Sequence, residues 1–117
     1  MRYNKYSNKK TVVVVNGKEI KFDSKKEAKR YGELRLLERA KKIKKLELQP
    51  KFEIVPKVKH GDFRAMSARH YIADFMYEDL NGDIIVEDVK GYKTDMYRLK
   101  KQIFLSKYGD KVKFIET

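Results

Sequence analysis

Two β-prone runs, Thr11–Val15 and Lys18–Phe22, flank Asn16-Gly17, the dipeptide pattern that most strongly marks a tight hairpin. The apolar period then changes from two to about 3.6 residues. Ser24, with Glu27 three residues later, fits a capping box that opens a helix expected to reach about Lys42. Its inner stripe is Ala28, Tyr31, Leu34 and Leu37, while Lys25, Lys26, Lys29 and Arg30 fall mainly on the opposite side and Leu36 stands outside the stripe. Leu46 to Val58 reads as extended chain, and Pro50 and Pro56 argue for an edge strand or a bend within it. A loop around Gly61-Asp62 follows, over Lys59 to Ala68. His70–Tyr77 and Ile84–Val89 are expected as two strands joined by a turn cluster from Glu78 to Asp83. Thr94 or Asp95 caps a last helix to about Tyr108, with Met96, Leu99, Ile103 and Phe104 inward and Gly109 as its stop. Val112–Ile115 is a short final strand. The order β-hairpin, α, β, β, β, α, β predicts an α/β fold with one mixed central sheet flanked by helices. Residues 1–10 form a basic arm, and residues 11–117 form a single domain.

Charge changes this picture more than composition does. The 117 residues carry 29 Lys and Arg against 17 Asp and Glu, a formal net charge of +12. The first 60 residues hold 19 basic and 7 acidic side chains, and the remainder hold ten of each. One half is built to meet a polyanion and the other concentrates carboxylates. The arm adds Lys9 and Lys10, with Tyr3 and Tyr6 able to stack on bases. There is no cysteine, which excludes disulfides, thiol nucleophiles and Cys-ligated metal. No apolar run approaches a membrane span, and the polar first ten residues lack a secretory signal's apolar stretch, so a cytoplasmic location is expected.

The candidate chemistry lies in Tyr71-Ile72-Ala73-Asp74-Phe75 and Ile84-Ile85-Val86-Glu87-Asp88-Val89-Lys90-Gly91. Strand alternation puts Asp74 on one face with Ile72 and Met76, and Asp88 and Lys90 on one face with Ile84 and Val86. Each aspartate thus interrupts an apolar face. If the two strands pair, their carboxylates approach each other, which favours a shared proton or a bound cation. Oxygen-only ligands favour Mg²⁺ or Mn²⁺. Lys90 then lies beside the ion, placed to orient a water or to stabilise charge on a phosphate. A bare Asp-x-Lys is also an ordinary ion pair at a strand end; the apolar strand before it and the second aspartate distinguish this one. Glu27 sits in the helix's inner stripe, where a carboxylate needs a partner or a polar cavity, so it is a candidate metal or metal-water ligand. Lys100, on the last helix, could reach the site, although snorkelling along apolar surface explains it better. Glu87 is the rival second acid, but alternation points it away from Lys90.

Taken together, Ser24-Lys25-Lys26-Glu27-Ala28, Leu48-Gln49-Pro50, Tyr71 to Phe75 and Val86 to Gly91 resemble the motifs of the PD-(D/E)xK nuclease superfamily. More closely, the chain resembles the small phage-encoded endonuclease-like members of that superfamily, relatives of Holliday-junction resolvases and transposon-end nucleases. The resemblance covers roughly residues 3–116. It implies a restriction-endonuclease-like αβββαβ core and Mg²⁺-dependent phosphodiester hydrolysis. It also implies metal ligands at Glu27, Asp74 and Asp88, a catalytic lysine at Lys90 and a site-lining amide at Gln49. Ala73 stands where the signature has proline, and Asp88 where glutamate is commoner; neither change removes a ligand. The expected function is therefore structure-selective cleavage of junction, flap or branched DNA in phage DNA processing or recombination. Lys9, Lys10, Lys25, Lys26, Lys29 and Arg30 would hold backbone phosphates. A homodimer is plausible by the same resemblance. The competing reading is a non-catalytic DNA- or RNA-binding accessory module; a ribosomal-type RNA protein fits the charge but not the aspartates.

Overall fold

The computed structural model describes residues 11–89 and 93–117. The arm with Lys9 and Lys10, and Lys90 with Gly91, lie outside the described residues. β1 (Thr11–Val15) and β2 (Lys18–Phe22) form the expected hairpin. Its turn needs left-handed backbone at both central residues, and Asn16 (φ 51°) and Gly17 (φ 80°) supply it. Next come α1 (Lys25–Arg39), β3 (Lys44–Leu48), β4 (Lys51–Val55), β5 (Arg69–Ile72), β6 (Phe75–Glu78), β7 (Ile84–Asp88), α2 (Asp95–Tyr108) and β8 (Lys113–Glu116). The protein is mixed α/β. Its four-stranded sheet has the order β3-β6-β7-β8, antiparallel except for the parallel pair β7–β8, while β4 and β5 pair separately.

The separate pairs are parts of one bent ribbon. Leu48 pairs with Phe75 on one side of a crease, and Lys51 pairs with Ile72 on the other. At the crease Gln49 turns left-handed (φ 50°), and Pro50 follows with no N–H to donate. Opposite, Gln49 N–H donates to Asp74 O at 2.9 Å and Ala73 N–H to Pro50 O at 3.1 Å. The single extended stretches expected over 46–58 and 70–77 are thus each broken in two, at facing positions. β5 buries Tyr71 and leaves Ile72 exposed, so the apolar face expected around Asp74 is not buried at Ile72.

The core has two parts, one on each sheet face. Phe75, Tyr77, Ile85 and Val89 meet Phe22, Tyr31 and Leu34 on the α1 side; Val86, Ala73, Tyr71 and Ile54 meet Phe104 of α2 on the other. Ser24 caps α1 by accepting Glu27 N–H at 3.1 Å. That helix ends at Arg39 rather than Lys42, because Lys41 turns left-handed (φ 61°). Leu37 of its expected stripe is exposed at the edge of the packing, as is Leu36. α2 starts at its Thr94 cap as expected but is rotated: Met96 and Leu99 are exposed, and Tyr97, Lys101, Phe104 and Tyr108 face the sheet. The physical reason is aromatic. Phe104 packs its ring on Phe52, Tyr71, Tyr108 and Phe114, a cluster that outweighs two flexible aliphatic side chains. No helix among the described residues is long and apolar enough to cross a membrane.

Candidate active site

The crease delivers Asp74 to the end of β7. Phe75 pairs with Glu87, so the next step of the antiparallel register sets Asp74 opposite Asp88. The two aspartates are clamped reciprocally across the strands. Asp74 N–H donates to Asp88 Oδ1 at 3.1 Å, and Val89 N–H donates to Asp74 Oδ2 at 2.7 Å. Asp88 is wholly buried, and its Oδ2 accepts the Tyr71 hydroxyl. Asp74 is partly exposed, so the pair opens to solvent on its side. Two ionised carboxylates about 5 Å apart repel by about 3 kcal/mol at an effective dielectric constant of about 20. Peptide N–H and phenol donors reduce that cost, and a hard divalent cation would remove it. The donors the pair offers are oxygen atoms on two locked carboxylates at a solvent opening, the atom type that hard divalent cations take.

Glu87, the neighbour of Asp88 in sequence, points to the other face and has a different task. It is fully buried and accepts from Arg30 Nε at 2.5 Å, a second Arg30 nitrogen at 3.1 Å, Tyr77 OH at 2.7 Å and Thr117 Oγ1 at 3.1 Å. This fork ties α1 to the sheet. The Glu87 carboxylate raises the Arg30 pKa, with burial opposing. Burial first, and the bond to Glu87 second, push the Tyr77 phenol up to about 12. Arg30, expected among the DNA-binding cations, is therefore committed to Glu87 and Glu33, whereas Lys25, Lys26 and Lys29 stand exposed on the same helix.

Glu27 is buried on α1 beside Tyr31 and Leu34. Among the described residues no three His, Asp or Glu side chains form a metal-holding group, so Glu27 is not drawn into one cluster with Asp74 and Asp88. Gln49 is brought to Asp74 through its backbone; its exposed side chain lines a hollow of about 280 Å³ with Glu19, Ile20, Lys21 and Phe22 of β2. A larger hollow, about 570 Å³, lies between the α1–β3 junction and the β6–β7 turn, lined by Lys41, Lys42, Asp79 and Gly82. It sits at the far end of the β6–β7 pair from the aspartates.

Three residues near the pair were given no role in the sequence. Tyr71 holds Asp88, Glu116 is the register partner of Asp88 on β8, and Tyr97 donates to Glu116 at 2.5 Å. The Tyr97 bond holds the Glu116 carboxyl down at about 2, helped by Lys93 and Lys101. Burial, and then that same bond, raise Tyr97 above the usual phenol range. Lys101, not Lys100, is the α2 lysine paired with Glu116. The only sequence signal for Tyr97 and Lys101 was their i, i+4 spacing with Phe104 at i+7, a helical period that Met96, Leu99 and Ile103, at i, i+3 and i+7, satisfy equally.

A mixed α/β domain with two clamped aspartates at a sheet crease and a separate basic helix is the class that these observations define. The chain belongs to a family described as a protein of unknown function (DUF1064), which matches residues 3–116. No curated protein and no solved structure matches the chain.

Proposed function

We propose that this chain is a metal-dependent endodeoxyribonuclease of the PD-(D/E)xK type, acting on branched DNA such as junctions or flaps. The observation that carries the reading is the clamped Asp74–Asp88 pair at the crease. The element order supports it. Counting each bent strand once, the chain after the hairpin runs α1, β3/β4, β5/β6, β7, α2, β8, which is the αβββαβ order of a restriction-endonuclease-like core.

Asp74 and Asp88 would hold one Mg²⁺ or Mn²⁺, and Glu27, outside that pair, is assigned a water-mediated role. When bound, such an ion polarises a phosphoryl oxygen and lowers the pKa of its water. The residues of the chain do the positioning. The reciprocal clamp fixes both carboxylate rotamers before substrate arrives, so little ordering remains to be done at binding. Lys90, two residues past Asp88, is assigned to orient the attacking water, and Gln49 to line the site. Lys25, Lys26 and Lys29 hold backbone phosphates without reading bases, which suits recognition of shape over sequence.

Cleavage of junction, flap and duplex DNA in Mg²⁺ tests this reading on wild type, Asp74→Ala and Lys90→Ala. Cutting by wild type, with a loss of at least about 100-fold in both variants, is expected for groups at the reacting centre. Equal cutting by all three would remove the assigned site. A second reading, a non-catalytic basic binder, draws on the missing three-carboxylate group among the described residues. Salt-sensitive binding with no cutting in Mg²⁺ or Mn²⁺ would select it.

A further inference from the structure

Glu116 lies on β8 in register with Asp88, one strand away or about 4.8 Å along the hydrogen-bonding direction. Three donors converge on it. Lys93 Nζ lies 3.0 Å from Oε1, Lys101 Nζ lies 3.2 Å from Oε2, and Tyr97 OH lies 2.5 Å from Oε2. The Lys101 ammonium also sits 5.4 Å above the Phe114 ring, which fixes its stem against the sheet. Two ammonium groups against one carboxylate leave an excess positive charge beside the aspartates. Each ammonium carries three donors, and the lysine side chains are 42% and 30% exposed, so each retains N–H groups toward solvent. Stability does not account for the exposed Lys93 arm of this arrangement, because exposed ion pairs are worth only about 0–1 kcal/mol.

We infer that Lys93 and Lys101, aligned by Glu116 and Tyr97, form a phosphate-binding subsite for the DNA phosphodiester adjacent to the one engaged at Asp74 and Asp88. The inference rests on the nuclease reading for its ligand. Glu116 serves as the template: it holds both cations at an anion's distance while the strand is absent, so they need no reordering when a phosphate arrives. Lysine suits this task, since it meets a phosphate as a point charge whatever the base sequence.

The test is duplex binding without metal, by fluorescence anisotropy over about 50 to 200 mM salt. Lys93→Ala and Lys101→Ala should each reduce the slope of log K against log salt by about 0.9, one phosphate contact. Lys101→Arg should retain the slope, and Lys107→Ala, on the exposed side of the same helix, should leave it unchanged. Melting temperatures of all variants are measured alongside. Unchanged slopes with lowered melting temperatures in Lys93→Ala and Lys101→Ala would overturn the subsite and leave both lysines as structural partners of Glu116. An equal slope loss in Lys107→Ala would overturn it as well, reducing the effect to overall charge. Slope losses confined to the subsite variants, in a chain that never cuts DNA in Mg²⁺, would sustain the phosphate contacts and remove only the nuclease reading.

Discussion

At the scale of single residues, two neighbours in sequence perform opposite tasks because strand alternation sends them to opposite faces. Asp88 meets Asp74 and Tyr71; Glu87 meets Arg30, Tyr77 and Thr117. Arg30→Met would leave Glu87 buried with two neutral donors, and removing one partner of a buried pair costs about 3–5 kcal/mol. Urea unfolding measures that loss, and combining Arg30→Met with Glu87→Gln should recover part of it. Tyr71→Phe acts on the other face. It removes the phenol donor from Asp88 while keeping the ring on Phe104, so the fold survives and metal affinity falls by about 10–100-fold. Calorimetric titration with Mn²⁺ reads this directly, and unchanged affinity would mean that Asp88 does not depend on Tyr71. The aspartates were legible in the sequence because each interrupts an apolar strand. Their supports were not, since Arg30 and Glu87 stand 57 positions apart and no local period connects them.

At the scale of elements, the hairpin and both helix starts follow from local chemistry: Asn16-Gly17 for the turn, Ser24 and Thr94 for the caps. Ser24→Ala should cost about 1 kcal/mol, as loss of an N-cap acceptor does elsewhere. The creases were less legible. Pro50 signalled a bend, but only the pairing of Gln49 with Asp74 shows that two bends face each other and so place a carboxylate. The inner face of α2 was misread because its helical period admits two stripes, and distant aromatic rings decide between them. Tyr77 gives a pH test at this scale. Its pKa rises from 10.0 to about 12 on folding, so its contribution is complete below about pH 10 and is lost as pH climbs through about 12. The stability difference between wild type and Tyr77→Phe should therefore shrink across that alkaline window. A difference constant with pH would show that Tyr77 is no more protected in the fold than in the unfolded chain.

At the scale of the whole molecule, a chain of net charge +12 keeps two aspartates clamped together at its sheet crease. On the proposed function those carboxylates would repel the DNA, unless a cation lies between them. Ion and DNA should thus bind with positive coupling, and linkage makes that coupling reciprocal. The most direct measurement is the affinity for an uncleavable junction DNA, with and without Mg²⁺, in wild type and Asp74→Asn. The account predicts that the ion tightens wild-type binding at least about fivefold, while Asp74→Asn binds more tightly than wild type without the ion and gains little from adding it. Wild-type affinity that is indifferent to Mg²⁺, or weaker ion-free binding by Asp74→Asn, would contradict it.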